Sequence, residues 1–255
     1  MSFRDDFNEL NSSVWETVNY FGDKASINIT NGKLDLRVTE IASGEEGWWG
    51  IHKISTVNLT NKKIEVSLDF EIAGSGGPNF HFGIFISNLP FTERANPQFR
   101  GEYVGLDGTG RSDARVLFLH YLRGGEYEHI PVSVTRVPCV LRVKVAEKAV
   151  YIFEVVNGTE KALVSRPIDY ATDNLHLYVM TRAYWYIGIQ TTTASVYIDY
   201  IDIKEEKVPE TVQEAIAKEL VSIIALMISG LIPFTLVILT LLEVRRTFKE
   251  VRRGG

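Results

Sequence analysis

CVLRVKVAEKAVYIFEVVNG, Cys139 to Gly158, places Cys139, Leu141, Val143 and Val145 at alternate positions with Arg142 and Lys144 between them. A period of two marks a strand with one face on a core and one in water. Asn157-Gly158 closes the stretch with a dipeptide that favours tight hairpin turns. Working outward, alternation recurs in KASINITNGKLDLRVTEI, KIEVSLDFEIAG, FHFGIFIS, ARVLFLHYL, NLHLYVMTR, WYIGIQTT and SVYIDYIDI. The runs are short, rich in Val, Ile, Tyr and Phe, and bounded by Gly, Asn, Asp and Pro. Asn31-Gly32 is a second hairpin signal. No stretch before Pro209 sustains a 3.6-residue apolar period. Short strands at this density without alternating helices predict an all-β antiparallel sandwich over residues 1–205.

The C-terminal residues read differently. Pro209 and Glu210 suit the first turn of a helix, which predicts a stalk over 206–219. LVSIIALMISGLIPFTLVILTLL, Leu220 to Leu242, carries no charge. As a helix it measures about 34 Å, enough to cross a hydrocarbon core of about 30 Å. The expectation is one transmembrane helix over 220–242, kinked at Pro233. Ala225 and Ser229 are spaced to let a second span approach, which suggests a homo-oligomer through the membrane. In the tail, residues 243–255, five basic residues against Glu243 and Glu250 give +3. The chain total is −5, so −8 remains on the N-terminal side. Lys and Arg prefer the cytoplasmic side, which puts the head outside the cell and the tail within. MSFRDDFNEL has no apolar signal-peptide core, so the head must follow the span out or leave without a cleaved signal. A tail-anchored protein with a cytosolic head is the rival reading.

Four sequons favour the outside reading: Asn11-Ser-Ser, Asn28-Ile-Thr, Asn58-Leu-Thr and Asn157-Gly-Thr. One cysteine, Cys139, excludes an intrachain disulfide framework and a cysteine zinc site. It reads as a small buried hydrophobe. The five histidines show no metal spacing, and the mild acidity gives no basic footprint for nucleic acid. Asp69 and Glu71 alternate with apolar residues and share one strand face, whereas Asp199 and Asp202 differ by an odd number and point to opposite faces. Both pairs read as solvated strand acids. Gly74 to Pro78 is glycine-rich but precedes a strand, so it lacks the helix N-terminus that phosphate binding uses.

SFRDDFNELNSSVWET, then ITNGKLDLRV, then the closing VYIDYIDI resemble, in order and spacing, the concanavalin A-like jelly rolls of the family 16 glycoside hydrolases. The resemblance spans roughly residues 3 to 203 and implies a jelly-roll sandwich. It also implies a catalytic strand reading Glu-x-Asp-x-Glu, or a bulged form, along a concave face. The matching segment is Arg100 to Asp107. Glu102 stands at the first Glu, but Val104 replaces the Asp and Leu106 the second Glu, and Asp107 fits only the bulged register. A retaining mechanism needs two carboxyl groups about 5–5.5 Å apart, so the degenerate motif implies no enzyme of this kind. The family's structural calcium maps onto the main chain of Asp6, the Gly32 carbonyl and Asp199, where it would pin the two ends of the domain together. The bland alternative is that Asp199 bonds a nearby loop.

Jelly rolls that have lost catalysis often bind carbohydrate, and sugar recognition needs exposed aromatic rings beside polar groups. Trp48 and Trp49 are the first candidates, with one ring expected to face out and one in. Tyr103 and Trp185 come next. The alternative is that these rings fill the core. The combined expectation is a single-pass, membrane-anchored, extracellular module that binds glycans or surface proteins. A structural subunit of a cell-surface or virion-envelope assembly is the second reading, and a hydrolase rearranged around Glu102 and Asp107 the third.

Overall fold

The computed structural model describes residues 2–206 apart from 40–44, 74–78, 109–112, 122–125, 137, 147 and 185–192. The chain divides into two compact units, Met1–Glu206 and Lys207–Gly255. The stalk, span and tail expected at 206–255 lie, from Lys207 on, outside the described residues, as do Trp185 and the run WYIGIQTT. Among the described residues no helix is long and apolar enough to cross a membrane.

Among the described residues every strand pair is antiparallel, in two sheets. One sheet orders β13 (Thr159–Pro167), β12 (Ala149–Val156), β11 (Cys139–Val145), β6 (Lys62–Ala73), β15 (Thr193–Glu205), β4 (Lys33–Val38) and β3 (Ala25–Thr30). The short β1 (Phe3–Asp5) also pairs with β15. The other sheet orders β10 (Tyr127–Arg136), β9 (Asp113–Tyr121), β8 (Gly101–Gly108), β7 (Asn79–Ser87), β14 (His176–Tyr184), β5 (Glu46–Lys53) and β2 (Trp15–Asn19). Each sheet mixes strands from both ends of the chain, as a jelly roll requires. Both hairpin signals form tight turns: Asn31 and Gly32 have φ of 52° and 72°, and Asn157 and Gly158 have 50° and 77°. Two positive φ values in sequence define the turn type whose twist matches the flanking strands.

The core lies between the sheets. Leu34, Leu36, Val66, Leu68, Leu141 and Val143 from one sheet meet Trp49, Ile84, Val104, Leu106, Phe118 and Val179 from the other, all buried. Full burial of an aliphatic side chain contributes about 1.5–3 kcal/mol, so this interleaving is the main stabilising term. Cys139 is buried there, as the alternation predicted, and burial pushes its thiol up to about 12.

The face of the first sheet that points away from the core is polar and laced by ion pairs. Arg142 on β11 binds Glu65 on β6 and, at 2.6 Å, Glu160 on β13. Lys144 continues the chain to Glu160 at 3.0 Å and Glu206 at 2.6 Å. On β15 the ladder with β6 shifts register between Ile198 and Tyr200. This bulge corrects the expectation for Asp199 and Asp202. The extra residue resets the alternation, so both carboxylates lie on the outer face: Asp199 accepts from Ser67 Oγ at 2.9 Å, and Asp202 sits opposite Glu65.

Candidate functional site

At the centre of the seven-stranded sheet the side chains that point away from the core are covered. Trp48, Phe85, Tyr103, Leu119, Tyr121, Tyr178 and Met180 form a second apolar cluster there, roofed by Phe91 and Phe99. The roof belongs to the connection between β7 and β8. Asn88 closes its base, accepting from Arg100 N–H at 2.7 Å and donating to the Gln98 carbonyl at 2.8 Å. The Phe91 N–H donates to the Tyr178 hydroxyl at 3.0 Å and locks the short 3₁₀ turn Phe91–Glu93 onto the sheet.

This arrangement changes the reading of the aromatic candidates. Trp48 and Trp49 do face opposite sides of β5, Trp49 into the core and Trp48 outward. Both are nevertheless buried, at 3% and 0% exposure, so the expectation of an exposed ring is corrected. The cause is the Phe91 roof, which meets Trp48 edge-on at 5.3 Å between centroids. Tyr103 is also buried and lies 5.5 Å from Trp48 in a T-shaped pair. The structure thus brings two predicted residues together, in a packed cluster.

A hollow of about 370 Å³ opens beside that cluster, lined by Tyr20, Glu46, Gly47, Trp48, Phe91, Thr92 and Arg94. Tyr20 is 45% exposed and stacks on Phe91 at 5.5 Å. The Arg94 guanidinium lies 4.4 Å above the Phe91 ring, and Glu46 is held by Arg182 at 2.9 Å. Among the described residues the buried Trp48 Nε1–H has no hydrogen-bond partner. A second hollow of about 490 Å³ shares Tyr20 and Glu46 and adds Phe21, Asp23, Lys24 and Glu45. Tyr20 therefore stands as an exposed aromatic ridge between two polar-rimmed depressions. Neither Tyr20 nor Arg94 was among the sequence candidates. Tyr20 follows β2, a strand whose pattern is too short to mark its outward face.

Glu102 occupies a different place from the one its motif implied. On β8 it shares its side with Val104 and Leu106, which are core residues, whereas Tyr103 faces outward. Glu102 is 1% exposed. Both its oxygens lie near His120 Nδ1, at 2.9 and 3.0 Å, and the Tyr170 hydroxyl donates to it at 3.0 Å. Burial pushes Glu102 above the usual carboxylate range, against the pull of His120 and Tyr170. The carboxylate in turn raises His120. The group is a satisfied interior cluster, and the expected catalytic register is corrected by one residue. Asp107 pairs with His81 and Arg115 in the ladder, and its side chain lies outside the described residues. Asp69 sits opposite Tyr197 of β15, and the Glu71 side chain is likewise outside them.

At the expected calcium position the Asp199 carboxylate already faces a cation. Lys33 Nζ lies 2.8 Å from Asp199, and Arg4 holds the Asp6 carboxylate at 2.6 Å. The cation beside Asp199 is thus an ammonium of the chain itself, one residue after Gly32. A calcium ion at Asp199 would have to displace that ammonium. Among the described residues no group of three or more His, Cys, Asp or Glu is placed to hold a metal. The chain ends are joined instead by β1 pairing with β15, by Arg4 with Asp202 at 3.6 Å, and by Trp15 Nε1–H donating to Asp5 at 2.7 Å. The four sequon asparagines, Asn11, Asn28, Asn58 and Asn157, are all exposed.

No family model matches the chain, and no curated protein matches its sequence. Solved structures do match. A legume lectin-like domain from Entamoeba histolytica aligns at a TM-score of 0.55 and 15% identity, covering 81% of this chain and 97% of that one. An immunostimulatory antigen and pseudo β-1,3-glucanase of Mycobacterium tuberculosis aligns at 0.53 and 14%, covering 80% and 98%. A prokaryotic β-1,3-1,4-glucanase (lichenase) from a mouse hindgut metagenome aligns at 0.53 and 11%, covering 80% and 99%. The fold is a concanavalin A-like jelly roll. This jelly roll is shared by lectin-like and glucanase neighbours, so the choice between them rests on the residues described above.

Proposed function

We propose that the jelly roll is a carbohydrate-recognition module that holds glycans without cleaving them. The observation that carries this reading is the inward orientation of Glu102 beside the core residues Val104 and Leu106. A retaining hydrolase needs a carboxylate pair on an open face, and the motif strand supplies none among its described side chains. Binding is assigned to the paired hollows around Tyr20. An exposed ring stacks on the apolar face of a pyranose, and Glu46, Thr92 and Arg94 offer both acceptors and donors for sugar hydroxyls. Two adjoining depressions suit a short oligosaccharide better than a monosaccharide. The lectin-like and pseudo-glucanase neighbours support a binding role by analogy of fold.

The uncharged run 220–242 supports anchoring of this module to a membrane, with residues 1–205 on the outer side and the basic tail inside. Exposure of the four sequons is compatible with that orientation. The functional test is a broad glycan array probed with the full-length protein and with Tyr20→Ala. The expected result is one glycan class bound by the native chain and reduced at least tenfold in the variant. Binding that is indifferent to Tyr20→Ala would remove the site from this face, and a blank array from folded protein would remove the function.

A further inference from the structure

His52 and His176 are far apart in the chain, and the pairing of β5 with β14 brings them together. Tyr178 lies opposite His52 in that ladder, so His176 is the diagonal neighbour on the same outer face. The His52 ring stacks on Tyr178 with centroids 4.2 Å apart. Its Nδ1 is 2.6 Å from Glu16 Oε1. An ionised carboxylate only accepts, so Nδ1 carries the proton and the Nε2 lone pair points away from Glu16. That Nε2 lies 3.3 Å from His176 Nδ1, with ring centroids 5.5 Å apart. In the free protein His176 Nδ1–H closes this gap as a donor. Burial and the neighbouring His52 lower His176 below its ordinary value, with Glu93 opposing them.

We propose that His52 Nε2 and His176 Nδ1 bind one divalent transition-metal ion, Zn(II) or Cu(II), with Glu16 orienting His52 from behind. The spacing carries the argument. An ion about 2.05 Å from each of two nitrogens 3.3 Å apart subtends about 107°, close to the tetrahedral angle. Imidazole nitrogen is a preferred ligand for both ions. A carboxylate behind a ligating histidine is the usual device for fixing tautomer and ring orientation. On binding, the His176 proton moves from Nδ1 to Nε2, two coordinate bonds form, and no proton is released by the pair. Water completes the coordination, since the protein supplies two ligands. The His52 side chain is 12% exposed and His176 is half-buried, so neither ligand is sealed from solvent.

The test is a Cu(II) titration of the purified, chelator-treated full-length protein, read by pulsed EPR. One equivalent should bind with couplings from two imidazoles, and Zn(II) in large excess should compete for the same site. His176→Ala should leave a single coupled imidazole and weaken binding at least tenfold. Glu16→Gln should keep both imidazoles and weaken binding about 10- to 100-fold, a readout that survives if the alanine variant folds poorly. Absence of stoichiometric binding, or two coupled imidazoles persisting in His176→Ala, would each overturn the proposal.

Discussion

Glu102 illustrates how one residue of register decides a function. Its neighbours in sequence suggested a catalytic strand, but the side chain points inward to His120 and Tyr170. Parity along β8 was legible in the sequence. Which parity faced the core was not, because Tyr103, Val104 and Leu106 are all apolar and both faces of the strand are covered. The inward pair has a pH consequence. Glu102 is raised by burial and His120 by the Glu102 carboxylate, so the folded protein holds protons that the unfolded chain releases. Stability from His120 is complete below its ordinary value of 6.5 and is lost as pH rises through its raised folded value, whereas the part from Glu102 is complete only below 4.5 and is lost above it. His81, lowered to about 3 by burial, acts in the opposite sense, so the comparison belongs between variants. The thermal midpoint of the native protein should exceed that of His120→Gln by more at about pH 5.5 than at about pH 8.5. An equal gap at both would contradict the assignment.

At the scale of elements, strands with one wet face declared themselves and strands with two dry faces did not. The β3–β4 and β11–β12 hairpins follow directly from alternation and their Asn-Gly turn signals. EGWWGIHK in β5 shows no alternation because Trp48 and Trp49 are buried on opposite sides, which removes the polar half of the pattern. TEKALVSRP in β13 was missed for the converse reason, being an edge strand with little burial on either face. The β15 bulge overrode the parity that had separated Asp199 from Asp202. Close strand approach at Gly83 and Gly105 is a further element-level feature. These two glycines pair across β7 and β8, and an added Cβ would lie 2.1 Å from the Val104 or Phe82 carbonyl oxygen. Gly83→Ala should therefore destabilise the fold by about 3 kcal/mol in urea unfolding. The ion chain through Arg142 is open to solvent at its ends, so Arg142→Ala should lose about 1–2 kcal/mol at low salt and less at high salt. A salt-independent loss would assign the effect to packing of the arginine stem.

For the whole molecule, the jelly roll presents two unlike outer faces. One is an ion-paired polar surface; the other is an aromatic floor roofed by the β7–β8 connection, with the Tyr20 hollows at its margin. The architecture was legible because sheet class depends on patterning alone. The Tyr20 site was not, because it assembles from β2, β5 and the Phe91 turn, which only the fold brings together. β1 and Arg4 join the chain ends, and Lys33 supplies a cation to Asp199. Adding calcium or chelator should leave the thermal midpoint unchanged, and a calcium-dependent rise would restore the ion cage around Asp199. The central claim is recognition without hydrolysis. Its most direct measurement is incubation of the full-length protein with a defined library of β-glucan and related oligosaccharides, with retained and released species identified by mass spectrometry. The account expects selected oligosaccharides to be retained intact. Shortened products that accumulate with time and protein concentration would contradict it.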